Sequence, residues 1–315
     1  MKKRIFAILL SALLVANLGA CNSAPGNEID RTPKDTIPQK STAEEPEETE
    51  TETPPTTWEG TISCNGVYRN SKVQYAINQN KQLILYIEDW NENHIVTSLS
   101  DEDIKAWGST VRAIVVNHER SFLLLKRRDI PTDKITMLSF EKRSSSETAT
   151  SLDVGKAICR ISGNFINENI GYLFAFKEEA GIHASGDLKL SSLFITEDGG
   201  NTWSPIRVQS VPSISLSEIV IFSKMISEDV GIISGRYWAD DYSFCKRTLL
   251  TTDGGLNWVN ITKLPKIDNL SCAEVTDFIQ IDDAYILTIR HITSETNYSY
   301  AKYKSSDLNT WMYID

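Results

Sequence analysis

The chain has 315 residues, a formal net charge of -10 at pH 7 and 41% hydrophobic residues, enough for a large folded domain. This acidic balance excludes nucleic acid and anionic lipid headgroups as main partners of the folded part, because both are recognised by basic surfaces. Four histidines are present and the five cysteines lack metal-ligand spacing, so we expect no metal and no other cofactor.

Residues 1–21 have the layout of a bacterial secretory signal. Lys2, Lys3 and Arg4 precede the apolar run IFAILLSALLVA, which is too short to span a bilayer as a mature helix. The segment LGAC, residues 18–21, resembles the lipobox of bacterial lipoproteins, which implies cleavage before Cys21 and acylation of its thiol. We therefore predict a protein held by lipid at the outer side of a bacterial cell membrane. An ordinary signal peptide with a coincidental cysteine is the alternative.

Residues 22–57 differ in composition from the rest of the chain. They hold nine acidic and three basic residues, a charge of -6 between the +3 of the signal and the -7 of the remaining chain. They also hold six of the ten prolines, and the stretch STAEEPEETETETPPTT has no apolar pattern to bury. This composition predicts a disordered, self-repelling tether that lifts the following domain off the membrane.

The remaining residues, 58–315, are predicted to form an all-β domain. Short apolar runs such as LILYI, SFLLLK, SSLFIT and RTLLTT recur between polar turns, and helical patterns are scarce. The domain contains Cys64, Cys159, Cys245 and Cys272. In an exported protein they allow three disulfide pairings or free thiols, and the sequence does not choose between these states.

One turn recurs in the C-terminal half of this domain. Residues 196–203 read TEDGGNTW, residues 251–258 read TTDGGLNW and residues 305–311 read SSDLNTW, so the aspartates are 55 and 54 residues apart. The aspartate can accept hydrogen bonds from its own turn, and the glycines supply positive φ without a Cβ clash. In the shorter third copy we expect Asn309 to take the left-handed position. A unit repeated at this spacing predicts a β-propeller.

The turn resembles the Asp-box, or BNR, repeat of sialidases and of non-catalytic bacterial propellers, S-x-D-x-G-x-T-W. The resemblance implies that each box joins the third and fourth strands of a blade, away from the ligand face. It also implies structural rather than catalytic side chains. The residues to which it gives this role are Asp198, Gly200, Trp203, Asp253, Gly255, Trp258, Asp307 and Trp311.

The box spacing also predicts the number of blades. Dividing the 258 residues of the domain by this spacing gives about five blades, at 58–108, 109–153, 154–209, 210–262 and 263–315. Six or seven narrower blades, or a separate N-terminal β-domain, are the alternatives because the boxes fade before residue 154. Residues 100–107, SDEDIKAW, keep the Trp spacing of a box but equally fit a short helix.

Loops after the second and fourth strands of each blade should share the face opposite the boxes. The second-strand loops are residues 177–187, 237–244 and 291–300. Arg236 and Arg290 sit at matching strand ends, where two guanidiniums could bind a carboxylate or phosphate, and Tyr298 offers a stacking surface. The predicted ligand-binding residues are Arg236, Trp238, Asp240, Asp241, Tyr242, Arg290 and His291.

The same residues also have a purely structural interpretation. In it Arg236 pairs with Asp240 or Asp241, Arg290 is solvated, and the aromatic rings pack between blades. The histidines at 118, 183 and 291 fit exposed loop positions better than the role of a general base.

The sequence favours binding over catalysis. A sialidase site would need an arginine cluster, for which Arg160, Arg236 and Arg290 are candidates, but the Arg-Ile-Pro motif of that family is absent and no tyrosine nucleophile is assigned by motif. We therefore assign no catalytic residue and predict a membrane-anchored, extracytoplasmic binding or assembly module that uses its loop face. The repeat is similar to that of the Asp-box propellers that assist photosystem II assembly. A glycan-binding protein or a sialidase-like glycoside hydrolase is the alternative.

Overall fold

The folded part of the protein is almost entirely β-structure. The computed structural model describes residues 57–66, 72–88, 90–127, 133–155, 158–179, 187–212, 217–238, 248–261, 272–292 and 297–314. Within these ranges it contains twenty β-strands, one five-residue α-helix and one 3-10 turn, which confirms the predicted all-β class. Among the same residues, no helix has the length and apolar character needed to cross a membrane.

The strands form five antiparallel sheets, each built from four consecutive strands. The first blade contains β1 (Gly60–Gly66), β2 (Lys72–Ile77), β3 (Leu83–Ile87) and β4 (Glu92–Val96). The second contains β5 (Thr110–Val116), β6 (Arg120–Arg127), β7 (Lys134–Glu141) and β8 (Glu147–Asp153). The third contains β9 (Ile158–Phe165), β10 (Gly171–Glu179), β11 (Asp187–Thr196) and β12 (Ser204–Ile206).

The last two blades follow the same plan. The fourth contains β13 (Ser217–Met225), β14 (Gly231–Trp238), β15 (Thr248–Thr251) and β16 (Val259–Asn260). The fifth contains β17 (Cys272–Ile281), β18 (Ala284–Ile292), β19 (Tyr298–Ser305) and β20 (Met312–Tyr313). Each of the five ranges predicted from the box spacing contains one of these sheets.

Neighbouring blades meet near their first strands. β1 pairs in parallel with β5, from Cys64 opposite Ile114 to Gly66 opposite Val116. β9 contacts β1, β5 and β13, and the beginning of β17 pairs with the end of β14. Four-stranded sheets whose first strands converge in this way form a β-propeller. The prediction of a propeller of about five blades is therefore confirmed.

The hydrophobic core is divided among the seams between adjacent blades. In β6, Leu123 and Leu125 pack with residues of the first blade, whereas Phe122 and Leu124 pack with residues of the third. A middle strand is thus buried on both faces, which explains why SFLLLK reads as an uninterrupted apolar run. Each such side chain contributes about 1.5–3 kcal/mol through burial. The seams therefore hold the blades together as well as filling the core.

The connection between the first two blades is helical. Helix α1 (Asp101–Lys105) is followed by a 3-10 turn, Trp107–Ser109. Ser100 caps the helix: its Oγ accepts the backbone N–H of Asp103 at 3.2 Å, and the Asp103 carboxylate accepts the N–H of Ser100 at 3.1 Å. This capping box stabilises a helix start. Of the two interpretations of residues 100–107, the short helix is correct.

Candidate functional site

The predicted ligand loops begin where three second strands end. Strands β10, β14 and β18 end at Glu179, Trp238 and Ile292. Much of each following loop lies outside the described residues, and with it the predicted ligand residues Asp240, Asp241 and Tyr242. The predicted lipidation site Cys21 and the tether up to residue 56 lie outside them as well.

Backbone register brings the predicted residues of the fourth and fifth blades onto adjoining strands. Trp238 of β14 pairs with Cys272 of β17, and Cys272 pairs in turn with Ile292 of β18. Arg236 pairs with Ser217 of β13. For Arg236 and Trp238 the structure describes the backbone alone. The convergence of their side chains with Arg290 therefore stays a prediction.

Arg290 has a carboxylate partner that was not predicted from the sequence. Glu274 lies directly opposite it in the ladder between β17 and β18, and its Oε1 accepts a hydrogen bond from the Arg290 Nη2. The Glu274 side chain is 5% exposed and that of Arg290 is 34% exposed. Pairing with the guanidinium offsets the cost of burying this carboxylate. The structural interpretation that leaves Arg290 solvated is therefore wrong, because the guanidinium is already bound by its own sheet.

Two tyrosines flank this ion pair on the surface of the fifth blade. Tyr300 lies opposite Arg290 in the ladder between β18 and β19. Tyr298 and Tyr300 are 61% and 52% exposed, and their rings meet edge to face with centroids 5.8 Å apart. The Cζ of Arg290 lies 5.9 Å from the centroid of the Tyr298 ring. We refer to Glu274, Arg290, Tyr298 and Tyr300 as the tyrosine strip, a surface that combines aromatic rings with a fixed ion pair.

His291 does not occupy the position expected for it. It lies within β18 rather than in a loop, and it is 3% exposed. Alternation along the strand turns it away from its neighbour Arg290, and neither ring nitrogen has a hydrogen-bond partner among the described residues. Burial lowers the pKa of this imidazole. The expectation of an exposed loop histidine is wrong here, whereas His118 is exposed and His183 lies outside the described residues.

The box aspartates bind their own turns. Asp253 Oδ1 accepts the backbone N–H of Asn257 and the Thr251 hydroxyl, both at 2.9 Å, and Oδ2 accepts the Asn257 Nδ2 at 2.8 Å. Asp198 accepts the corresponding bonds from Thr202 and Thr196. Burial acts to raise the pKa of each carboxyl, but these hydrogen bonds outweigh it and hold both pKa values below the usual range. The turns lie between β11 and β12 and between β15 and β16.

The third box folds differently from the expectation. Leu308, with φ of 62°, takes the left-handed position that we expected for Asn309. The third box is one residue shorter, so Leu308 occupies the place that Gly255 has in the second box, three residues before the tryptophan. The indole N–H of Trp311 donates to the carbonyl of Leu308, as that of Trp258 donates to the carbonyl of Gly255. Leu308 is 8% exposed and packs in the seam between the last two blades. This burial offsets the roughly 1–2 kcal/mol that a left-handed L-residue costs.

The second glycine of each full box lies against the preceding blade. A Cβ on Gly200 would lie 2.2 Å from Cζ of Phe122 in the second blade, and a Cβ on Gly255 would lie 2.3 Å from Cδ2 of Leu193 in the third. The box tryptophan Trp203 packs edge-on against the same Phe122, with ring centroids 5.9 Å apart. The box therefore closes a hairpin and also docks one blade on its neighbour.

The remaining candidate residues lie apart from the tyrosine strip. Arg160 lies in β9 opposite Phe176, and Cys159 Sγ lies 3.6 Å from the carbonyl oxygen of Phe176. Cys64 and Cys272 lie in β1 and β17, while Cys245 is outside the described residues, so the disulfide pairing stays open. Within the described part of the chain, no group of three or more His, Cys, Asp or Glu side chains could hold a metal ion.

Solved structures similar to this chain include two enzymes and a lectin. The GH74 enzyme of Niastella koreensis has a TM-score of 0.43 and 13% sequence identity, and the match covers 82% of this chain and 38% of the enzyme. A PL25 ulvan lyase has a TM-score of 0.43 and 10% identity, with 81% of this chain and 70% of the lyase covered. The lectin SapL1 in complex with α-methyl fucoside has a TM-score of 0.41 and 12% identity, with 81% of this chain and 79% of the lectin covered. The chain also spans 41% of a Bacillus halodurans xylan β-1,4-xylosidase and 53% of a fission yeast WD40 domain, so it covers about half or less of the first structures it matches. No protein-family model and no curated protein matches the sequence.

Proposed function

We propose that this protein is a lipid-anchored, non-catalytic binding module that contacts a protein partner outside a bacterial membrane. The contact would be made by the tyrosine strip of the fifth blade. The observation that supports this proposal is the exposure of Tyr298 and Tyr300 beside a fixed Arg290–Glu274 pair. Tyrosine and arginine are enriched among the residues that dominate protein interfaces, because they bury large areas at low entropic cost.

The ion pair favours a protein over a free anion. A carboxylate or phosphate ligand would have to compete with Glu274, which is buried and already bound to Arg290. The strip is also carried by three paired strands, β17, β18 and β19, so its side chains project from one sheet surface. A surface of this kind suits broad contact with another protein better than enclosure of a small molecule.

Site-specific cross-linking tests the proposed contact. A photoreactive phenylalanine analogue would replace Tyr298 or Tyr300 in the full-length lipoprotein in its native membrane. The control is Tyr313, which is 57% exposed in β20 of the same blade but outside the strip. We expect one discrete protein adduct from positions 298 and 300 and none from 313. Equal labelling at all three positions, or no protein adduct at 298 and 300, would refute the contact.

A glycan ligand is the second candidate. The exposed Tyr298 ring lies 5.9 Å from the Arg290 guanidinium, so a sugar ring could stack on the tyrosine while its hydroxyls bond to the ion pair. The double variant Tyr298→Ala/Tyr300→Ala distinguishes the two ligands when binding to native cell-envelope glycans and to solubilised membrane proteins is measured side by side. Loss of glycan binding alone would select the glycan, and loss of protein capture alone would select the protein.

The lipid anchor has its own test. Replacing Cys21 by alanine removes the thiol that the lipobox resemblance marks for acylation. We expect the variant to lose incorporation of a labelled fatty acid and to leave the washed membrane fraction, because two acyl chains provide stable anchoring where a tether alone does not. A variant that stays in the membrane fraction without label would show that another feature anchors the protein.

A further inference from the structure

The two sides of the fifth blade are packed differently. Among the described residues, buried apolar clusters join the first blade to the second, the second to the third, the third to the fourth and the fourth to the fifth. The residues that the fifth blade contributes come from the side of its sheet that faces the fourth blade. In this part of the chain the other side of the fifth blade belongs to none of the clusters, so it is available to another molecule.

Strand register identifies the side chains on this other side. Alternation along β19 turns Ala301 and Tyr303 into the cluster shared with the fourth blade and turns the even-numbered residues away from it. Met312 lies opposite Lys304 in the ladder between β19 and β20, so these two side chains share one side of the sheet. We call this surface the outer face of the fifth blade. Its residues in β19 and β20 are Tyr298, Tyr300, Lys302, Lys304 and Met312.

The fifth blade is rich in exposed aromatic and apolar side chains. Among the described residues eight large hydrophobic side chains are exposed, and six of them belong to this blade. These six are Ile281, Tyr298, Tyr300, Met312, Tyr313 and Ile314. Exposed hydrophobic residues that are scattered singly need no explanation, whereas a group of them on one blade is typical of a contact with another protein.

The outer face also carries positive charge that its own blade does not balance. The strands of the fifth blade contain two carboxylates, Glu274 and Asp277, and each is already bound to a cation. Lys302 and Lys304 are exposed and form no ion pair with any described residue. The chain as a whole has a charge of -10, so the sign of the charge on this face is opposite to the net charge of the protein.

These charges distinguish between the possible occupants of the face. A second copy of this chain packed symmetrically through the outer face would bring lysines against lysines, which is unfavourable. A surface that is both acidic and apolar would complement the face in full. Its carboxylates would pair with the lysines, and its apolar groups would cover Met312 and the tyrosines.

We propose that the outer face binds a protein partner through a surface that combines carboxylates with apolar side chains. The inference rests on the protein contact proposed for the tyrosine strip, and it extends that contact along β19 to Lys302 and Lys304. The tyrosines and Met312 supply most of the buried area, while the lysines accelerate association and select an acidic partner.

Cross-linking with a carbodiimide tests the chemistry of the partner. The reagent joins a lysine amine to a carboxylate in direct contact as an amide bond, and it is itself hydrated to a urea. It is applied to the full-length lipoprotein in its native membrane. We expect Lys302 or Lys304 to be joined to an aspartate or glutamate of the same protein that a photoreactive residue at position 298 labels. Mass spectrometry of the linked peptides identifies both ends of the bond.

Three variants measure the contribution of the charge, each with the photoreactive residue at position 298. Lys302→Glu/Lys304→Glu should lower the yield of the protein adduct about fivefold or more, whereas Lys302→Arg/Lys304→Arg keeps the charge and should keep the yield. The control is Lys105→Glu, at an exposed lysine of helix α1, which should change the yield less than about twofold. Raising the salt concentration from about 50 mM to about 500 mM should lower the yield for the unchanged lysines but not for the glutamate variant.

The outcomes separate this inference from the contact on which it rests. A protein adduct at position 298 whose yield is unchanged in Lys302→Glu/Lys304→Glu, without an amide bond to either lysine, would overturn the acidic partner and leave the contact of the tyrosine strip in place. No protein adduct at position 298 would overturn both. Adducts formed only with lipid, or only with a second copy of this chain, would also overturn the inference.

Discussion

Asn164 shows how a single buried residue ties two blades together. It lies in β9 and is 1% exposed. Its Oδ1 accepts the backbone N–H of Met225 at 2.9 Å, and its Nδ2 donates to the carbonyl of the same residue at 2.7 Å. Met225 ends β13, so one amide satisfies both main-chain groups of a strand in the next blade. Buried main-chain groups without partners are costly, which makes this amide hard to replace.

We expect Asn164→Ala to lower the free energy of unfolding by about 3 kcal/mol, because it leaves the N–H and carbonyl of Met225 buried without partners. Urea unfolding followed by tryptophan fluorescence would measure the change. Asn260→Ala, an exposed residue of β16, is the matched control and should change stability by less than about 0.5 kcal/mol. A loss below about 1 kcal/mol for Asn164→Ala would mean that water or another group replaces the amide.

Replacing His291, unlike replacing Asn164, should not destabilise the protein. Its ring is buried and lacks hydrogen-bond partners among the described residues, so an apolar side chain suits the position at least as well. The unfolded histidine takes up a proton below its ordinary pKa of about 6.5, whereas burial lowers the folded pKa. Folding therefore loses stability as the pH falls from about 6.5 towards the folded pKa.

We expect His291→Leu to be neutral or stabilising by about 1 kcal/mol at pH 7, and to gain further on wild type at pH 5. Chemical unfolding at the two pH values checks both statements. If the substitution instead destabilises the protein at pH 7, the imidazole must make a contact in the folded protein that compensates its burial.

At the scale of elements, the box turn both closes a hairpin and packs one blade against its neighbour. Gly255 needs a φ of 85° and also leaves room for Leu193 of the third blade. We expect Gly255→Ala to cost about 2–4 kcal/mol, combining left-handed strain with overpacking of the seam. Gly108→Ala is the control, because a Cβ at that position meets nothing within 4 Å.

Thermal unfolding of the two alanine variants would test this account of the turn. A cost for Gly255→Ala no larger than the strain expected from φ alone would show that the seam yields to the added methyl group. Leu193→Ala is destabilising by itself, so the comparison is made in that background: with the opposing side chain trimmed, Gly255→Ala should cost only the strain of its left-handed φ.

The elements also show which features a sequence discloses. The boxes could be predicted because each turn is local, with the aspartate and its donors within four residues of each other. Leu308 could not, since its left-handed conformation depends on where the Trp311 indole finds an acceptor. The pairing of Glu274 with Arg290 could not be predicted either, because it is set by the register of two strands and not by sequence distance. The capped helix after Ser100 remained one of two options because a box and a helix share the same Trp spacing.

For the whole molecule, the spacing of the boxes predicted the blade boundaries well, because each blade buries its faces against its neighbours and repeats at a similar chain length. A cavity beside the second blade was beyond prediction. Its walls come from residues 98–110, 125–127 and 134–136, which only the folded sheets bring together. The sequence therefore predicted on which face of the propeller contacts should be sought, but it did not predict which side chains pair with each other there.

The acid sensitivity of the whole propeller should come partly from its boxes. Burial opposes ionisation of Asp198 and Asp253, but hydrogen bonds from their turns hold the pKa of each below its usual value, and backbone N–H groups of Thr310 and Asn309 lower the pKa of Asp307. A folded pKa below the unfolded value of about 3.9 means that the stabilisation is complete above that pH and is lost as the pH falls through the folded pKa. These carboxylates should thus add little pH dependence between about pH 5 and 7 and a steep loss below about pH 4.

Comparing wild type with Asp198→Asn/Asp253→Asn isolates this contribution, since both proteins keep every other titrating group. We expect the double variant to be less stable at pH 7, because an amide cannot accept the full set of turn hydrogen bonds, and to lose less stability than wild type between about pH 4 and 3. Urea midpoints at pH 7, 4 and 3 would supply the comparison, with the exposed turn variant Asp283→Asn expected to follow wild type. If stability depends on pH in the same way in wild type and in the double variant, the box aspartates do not cause the acid transition. Asp103 would then be the next group to replace, because burial acts to raise the pKa of its carboxyl but hydrogen bonds from Ser100 and the charge of Arg127 lower it.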